Sequence, residues 1–240
     1  MDISASTPVV TGAGRGLGRH LMDGLLDRGA QKVYALARDP STVRQDRRVI
    51  ALRFDLLDPS TIAEAARVVA DATLLINNAS TAAFATPLEA DLDTVRNELD
   101  VNFEGLYRTI RAFVPVIEAN GGGQIVNLLS LLSLASTPPM TGYSASKAAA
   151  HSLTQALRPV LAAKGITVHA VYPGGIDTDM LAGVDAPKTP AAEVAGGILS
   201  GLAAGYEDIF PDPNSQAMSQ VWWSDPKSFE RAFSGVATAA

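Results

Sequence analysis

Short apolar runs alternate with longer helical patterns along almost the whole of this chain, and that alternation leaves few folds open to it. "PVVTG" at 8–12, "KVYALA" at 32–37, "VIALRF" at 49–54, "TLLINN" at 73–78, "QIVNLLS" at 124–130 and "TVHAVYP" at 167–173 read as strands, and "YEDIFP" at 206–211 extends the series. The first six carry apolar residues on both alternating faces, as strands covered on both sides do. Helical patterns fill the intervals at roughly 16–29, 60–71, 91–119, 144–164 and 191–204, with Gly29, Gly121 and Gly165 placed where helices stop. This succession implies an α/β fold, a doubly wound parallel sheet with helices on both faces. No repeat or linker divides the chain, so residues 1–240 are expected to form a single domain. The tail at 212–240, with Trp222, Trp223, Phe229 and Phe233, breaks the pattern and is expected to pack onto the body or a neighbouring subunit.

Composition removes several function classes. The net charge is −6, and the 19 basic residues form no cluster beyond "RQDRR" at 44–48, which argues against nucleic acid as a partner. With no cysteine, neither a disulfide framework nor a thiolate metal site can form. His20 and His169 have no acidic or second histidine partner at ligand spacing, and His151 reads as structural, so no metal site is expected. The first residues lack a basic start followed by a long apolar stretch, and no run approaches a membrane span. A soluble cytoplasmic protein with no membrane partner is the expectation.

The first strand runs directly into "TGAGRGLG" at 11–18, after which a helix begins. Glycines there allow a tight turn and close approach to a diphosphate, which the free amides of the helix N-terminus then hold. The spacing is not G-x-G-x-x-G, because Leu17 stands at the last place; Gly12, Gly16 and Gly18 instead form G-x-x-x-G-x-G. The second strand ends in "LARDP", placing Arg38 where the adenosine ribose is met, with Arg15 on the same side. Two arginines and no acid at the strand tip favour the 2′-phosphate of NADP. Asp39 follows directly, and if it faces the ribose the preference reverses to NAD.

In "GYSASK" at 142–147 a phenol and an ammonium stand four residues apart with only small side chains between them. Four residues span about one helical turn, so Tyr143 and Lys147 can share a site. A buried phenol beside a fixed cation is expected to lose its proton more readily than its usual pKa near 10 allows, which makes it a candidate acid/base.

Taken together, these motifs resemble the short-chain dehydrogenase/reductases in their compact single-domain form, over about residues 8–211. The matches are "TGAGRGLG" at 11–18, "NNAS" at 77–80, Asn102 within "DVNFEG", "IVNLLS" at 125–130, "YSASK" at 143–147 and "PGGIDT" at 173–178. The resemblance implies a Rossmann-type seven-stranded parallel sheet, a dinucleotide-dependent oxidoreductase and a homotetramer or homodimer. It implies a catalytic set of Asn102, Ser130, Tyr143 and Lys147, with Tyr143 as acid/base, Lys147 as its cationic neighbour and Asn102 holding a relay water. For the cofactor it implies the turn Gly12, Gly14, Arg15, Gly16, Leu17 and Gly18, then Arg38, then Asp55 and Leu56 near the adenine. Asn78 and Ala79 border the same pocket, Ser80 lies beside the cofactor, and Lys147 can hold the ribose hydroxyls. The backbone near Ile176 and the Thr178 hydroxyl hold the nicotinamide amide, and Tyr143, Pro173 and Gly174 complete the cofactor contacts. Two positions depart from the family pattern: Ser80 replaces a glycine, and Leu129 replaces the first of a serine pair.

Family pockets are lined by the segments corresponding here to 131–136, 140–142 and 180–190, which are mostly apolar and offer only Lys188 as a cation. The expected substrate is therefore a neutral, hydrophobic and possibly aromatic ketone, or the matching secondary alcohol. A 3-oxoacyl-type ketoester is the competing substrate, although no basic docking patch is evident. A non-catalytic cofactor sensor or scaffold is the rival of another class, and it is disfavoured because all four catalytic positions are kept.

Overall fold

In the computed structural model, which describes residues 2–235, six strands succeed one another in parallel. They are β1 (Pro8–Thr11), β2 (Val33–Ala37), β3 (Val49–Arg53), β4 (Leu74–Asn77), β5 (Gly123–Leu128) and β6 (Ile166–Val171). A separate two-residue pair, β7 (Ile176–Asp177) with β8 (Thr189–Pro190), comes next, and β9 (Asp208–Ile209) completes the main sheet. The main sheet has seven strands in the order β3-β2-β1-β4-β5-β6-β9. It is the Rossmann-type doubly wound sheet the alternation implied. Strand β1 pairs with β2 on one edge and β4 on the other, so the winding reverses there and a crevice opens beyond the C-terminal strand ends.

Among the described residues there are eight α-helices: α1 (Gly16–Asp27), α2 (Pro59–Val68), α3 (Leu92–Leu99), α4 (Leu106–Ala119), α5 (Thr141–Ala162), α6 (Ala191–Ala204), α7 (Pro213–Ser224) and α8 (Pro226–Ser234). Three of them start on an Asp-Pro step: Asp58, Asp212 and Asp225 each accept a backbone N–H of the first turn while proline occupies the first helical position. Gly29, Gly121 and Gly165 do terminate helices, with φ of 92°, 89° and 69°.

Successive strand residues feed opposite layers. Val10, Leu74, Ile76 and Val126 join Leu21, Leu25 and Ile198 on the α1/α6 side. Val9, Leu75 and Ile125 join Ile110, Phe113 and Ile117 on the other. Phe229 of α8 is fully buried in that second layer, against Trp222 and Phe233.

The structure corrects four expectations. Strand β3 is half exposed rather than covered on both faces, because it is the sheet edge and pairs with β2 alone. The 91–119 helix is broken by a π-turn over Asp100–Gly105, where Leu56 packs so closely that a Cβ at Gly105 would lie 2.7 Å from its Cβ. Helix α5 starts at Thr141 rather than 144, which puts Tyr143 inside its first turn. The 206–211 run yields only two residues of strand, since β6 offers pairing at Ala170 and Val171 alone.

Candidate active site

The glycine turn is shaped by steric exclusion. Gly12 and Gly16 have φ of 69° and 54°, a region that side chains other than glycine's disfavour. A Cβ at Gly18 would lie 2.2 Å from the carbonyl oxygen of Gly12, so the first turn of α1 can close on β1 only without one. Gly14 packs on Thr42 just as closely. Asn78 braces the turn from β4: its Nδ2 donates to the Thr11 carbonyl at 2.8 Å, and the Thr11 hydroxyl accepts the N–H groups of Asn78 and Ala79. The bare backbone and the start of α1 together form a cradle that a diphosphate fits.

This turn opens onto a cleft of about 1350 Å³, large enough for a dinucleotide and a small substrate together. Every catalytic and cofactor residue anticipated from the sequence lines it except Asn102. Arg38 and Asp39 both border one end of the cleft, but they are placed differently. The Asp39 carboxylate accepts the N–H of Ser41 at 2.9 Å and so caps a turn. Arg38 is exposed and, among the described residues, forms no ion pair. Arg15 reaches across the glycine turn to Asp179 at 3.4 Å, with both side chains largely in solvent, where such a pair contributes little.

At the opposite end, Ser130 closes β5 and caps the following turn, its Oγ accepting the N–H of Leu132 at 3.1 Å. Tyr143 and Lys147 stand one turn apart on α5, 9% and 4% exposed. The Lys147 ammonium donates to the Leu128 carbonyl at 2.7 Å and lies 5.7 Å from the Tyr143 ring centroid. Burial pushes the Tyr143 phenol up to about 12, opposed by a hydrogen bond with Ser130 and reinforced by the charge of Glu98. The same burial brings Lys147 down to about 8. This reverses the expectation of a phenol acidified by its neighbour: removal from water outweighs every charge near the hydroxyl.

Asn102 lies in the π-turn, 3% exposed, and its side chain is fully engaged. Oδ1 accepts the N–H of Thr81 at 2.9 Å, while Nδ2 donates to the Thr81 carbonyl at 2.8 Å and the Ser146 hydroxyl at 2.9 Å. It thus joins the 81–84 segment to the helix carrying Tyr143 rather than facing the cleft. Lys188, anticipated near the substrate, instead donates to the carbonyls of Leu181 and Val184 and closes a turn of its own segment.

Sequence reasoning missed part of the wall. Phe84, Asn97, Asn214 and Phe233 also line the cleft, and nothing in the local pattern around them marks it. Asn77, Asn127 and Thr154 form a buried relay beneath the site at 2.9 and 3.0 Å, and only the "NN" of "NNAS" hinted at it. Glu98 was also missed, although it sits one helical turn before Asn102 and is 2% exposed. No group of three or more potential metal-ligating side chains occurs among the described residues, and no helix among them is long and apolar enough to cross a membrane.

Fold and site define a doubly wound α/β protein in which a buried Tyr-Lys pair and a strand-end serine line one crevice. The short chain dehydrogenase family model matches residues 6–189, and the chain belongs to that family of oxidoreductases. A short chain dehydrogenase from Burkholderia cenocepacia, solved in complex with NADP, superposes with a TM-score of 0.92 at 36% identity, covering 97% of this chain and 99% of its own. A galactitol 2-dehydrogenase (L-tagatose-forming) of Cereibacter sphaeroides is 33% identical over 188 residues, 74% of each chain. An uncharacterised oxidoreductase of Staphylococcus saprophyticus is 30% identical over 198 residues, 77% of this chain and 84% of its own.

Proposed function

We propose that this protein is an NADP-preferring carbonyl reductase/alcohol dehydrogenase that interconverts a neutral, hydrophobic ketone and its secondary alcohol. The observation that carries the reading is the convergence of Ser130, Tyr143 and Lys147 on one cleft with the glycine turn. The bare cradle at Gly12–Gly18 fits a dinucleotide diphosphate, and the backbone near Ile176 with the Thr178 hydroxyl would hold the nicotinamide amide. The cofactor, when bound, supplies or accepts the hydride. Everything else falls to the chain. Ser130 and Tyr143 hold the carbonyl oxygen and stabilise the charge that builds on it. Tyr143, which burial keeps protonated, donates its proton to that oxygen during reduction. Lys147 holds a positive charge beside the phenol and would hold the ribose hydroxyls of the cofactor.

The preference for NADP is supported by the free guanidinium of Arg38, by the use of Asp39 as a turn cap, and by the NADP complex of the Burkholderia cenocepacia protein. An apolar substrate is supported by Phe84, Leu131, Leu132, Met140, Met180 and Leu181, side chains with nothing to offer the many hydroxyls of a polyol. The exposed apolar side chains of Tyr107 on α4 and Val160 on α5 support a homo-oligomer built on those helices. The test is oxidation of NADPH and of NADH by the purified protein against a panel of neutral ketones, with Tyr143→Phe alongside. The reading expects turnover with NADPH, lost in the variant while NADPH still binds. Undiminished turnover in Tyr143→Phe would remove the assignment.

A further inference from the structure

Glu98 is a buried carboxylate with no role in the reaction as set out above. It projects from α3, 2% exposed, and each of its oxygens meets a different part of the active-site wall. Oε1 accepts the N–H of Ala83 at 2.8 Å. Oε2 lies against Gly142, so close that a Cβ there would stand 2.1 Å from it. Gly142 immediately precedes Tyr143, and Ala82 and Phe84, on either side of Ala83, line the cleft. One turn further along, Asn102 takes the N–H and carbonyl of Thr81. The two side chains therefore hold one strap, residues 81–84, by the backbone of Thr81 and the N–H of Ala83. Burial raises the pKa of Glu98, and the Ala83 N–H partly opposes it. A carboxyl group buried at that cost, where an apolar side chain would pack without it, calls for a function.

We propose that Glu98 is a positioning residue: it clamps the 81–84 strap against α3 and at the same time seats the Gly142–Tyr143 turn, so that the substrate wall and the phenol are set by one carboxylate. The glycine at 142 is then part of the device. Within a helix an alanine is ordinarily the better residue, but here its methyl would turn the carboxylate away from Ala83. The kinetic arm rests on the oxidoreductase reading, whereas the exchange arm does not.

The experiment compares Glu98→Ala, Glu98→Gln, Gly142→Ala and the Glu98→Ala/Gly142→Ala double variant in the full chain. Amide hydrogen exchange across 80–86 is expected to quicken in Glu98→Ala and in Gly142→Ala, and to stay near the parent in Glu98→Gln, whose amide oxygen can still accept from Ala83. Turnover should follow the same order: kcat/KM for a ketone falls about ten- to a hundredfold in the first two, with NADPH affinity within about threefold of the parent. In the double variant the second change should add little to the first, because both break one contact. Parent-like exchange in Glu98→Ala overturns the clamp even if the protein turns over no ketone. Loss of NADPH affinity in step with kcat/KM, or fully additive losses in the double variant, overturns the proposed positioning in favour of general destabilisation.

Discussion

The ammonium of Lys147 donates a hydrogen bond to the carbonyl oxygen of Leu128 at 2.7 Å, which fixes a buried cation to the last residue of β5. Helix and strand are thereby joined immediately beneath Tyr143. The same bond explains how a lysine 4% exposed retains a charge that its burial opposes.

That cost can be measured. Burial brings Lys147 to about 8 from the usual 10.5, so between these values the unfolded chain binds more protons than the folded one. Stability contributed by this group therefore rises with pH across that window and is flat below it. Tyr143 acts in the opposite direction, and only above pH 10. Relative to Lys147→Met, the parent should gain about 2 kcal/mol between pH 8 and pH 10. Urea unfolding of both proteins at several pH values reads it, and a constant difference would show that the lysine is not depressed.

Asn102 makes three hydrogen bonds, two to the half-buried backbone of Thr81 and one to the buried Ser146 hydroxyl, so truncating it removes all three. Asn102→Ala should cost about 3 kcal/mol and lower Tm by roughly 10 °C for a chain of this size. Asn102→Asp can still accept from the Thr81 N–H but cannot donate to the Thr81 carbonyl or to Ser146. It should fall between parent and alanine variant in a calorimetric scan. An alanine variant as stable as the parent would mean that water replaces these bonds.

On the proposed NADP reading, Arg38 would meet the 2′-phosphate with a charge-assisted bond of about 1.5–3 kcal/mol. Arg38→Ala should raise the KM for NADPH about 10- to 100-fold and leave that for NADH nearly unchanged. Steady-state kinetics with both cofactors decides it, and equal losses for the two would transfer the selection to another residue.

Phe229 anchors the tail in the α2/α4/α5 core layer, fully buried between Trp222 and Phe233. Phe229→Ala should cost about 3–5 kcal/mol. If the tail belongs to the same cooperative unit as the body, calorimetry shows one transition moved down in temperature. A second, earlier transition in the variant would mark the tail as a unit of its own.

The sequence by itself determined whatever depends on neighbours along the chain. Alternating apolar runs and helical periods set the order of strands and helices. The glycines of 12–18 announced a turn that no side chain can enter, and the four-residue spacing of Tyr143 and Lys147 put them on one helical face. What only the tertiary structure decided depends on distances between remote segments and on removal from water. Strand β3 is the exposed edge because of where it falls in the sheet order. Asn102 turns to Thr81 and Ser146 instead of the cleft. Phe84, Asn214 and Phe233 reach the substrate wall from loops and a tail whose local pattern says nothing of it. Glu98 meets Gly142 only once α3 packs on α5. The phenol of Tyr143 is less acidic than its neighbour suggested, because desolvation grows with every element that closes over the site, and adjacent residues alone cannot report it.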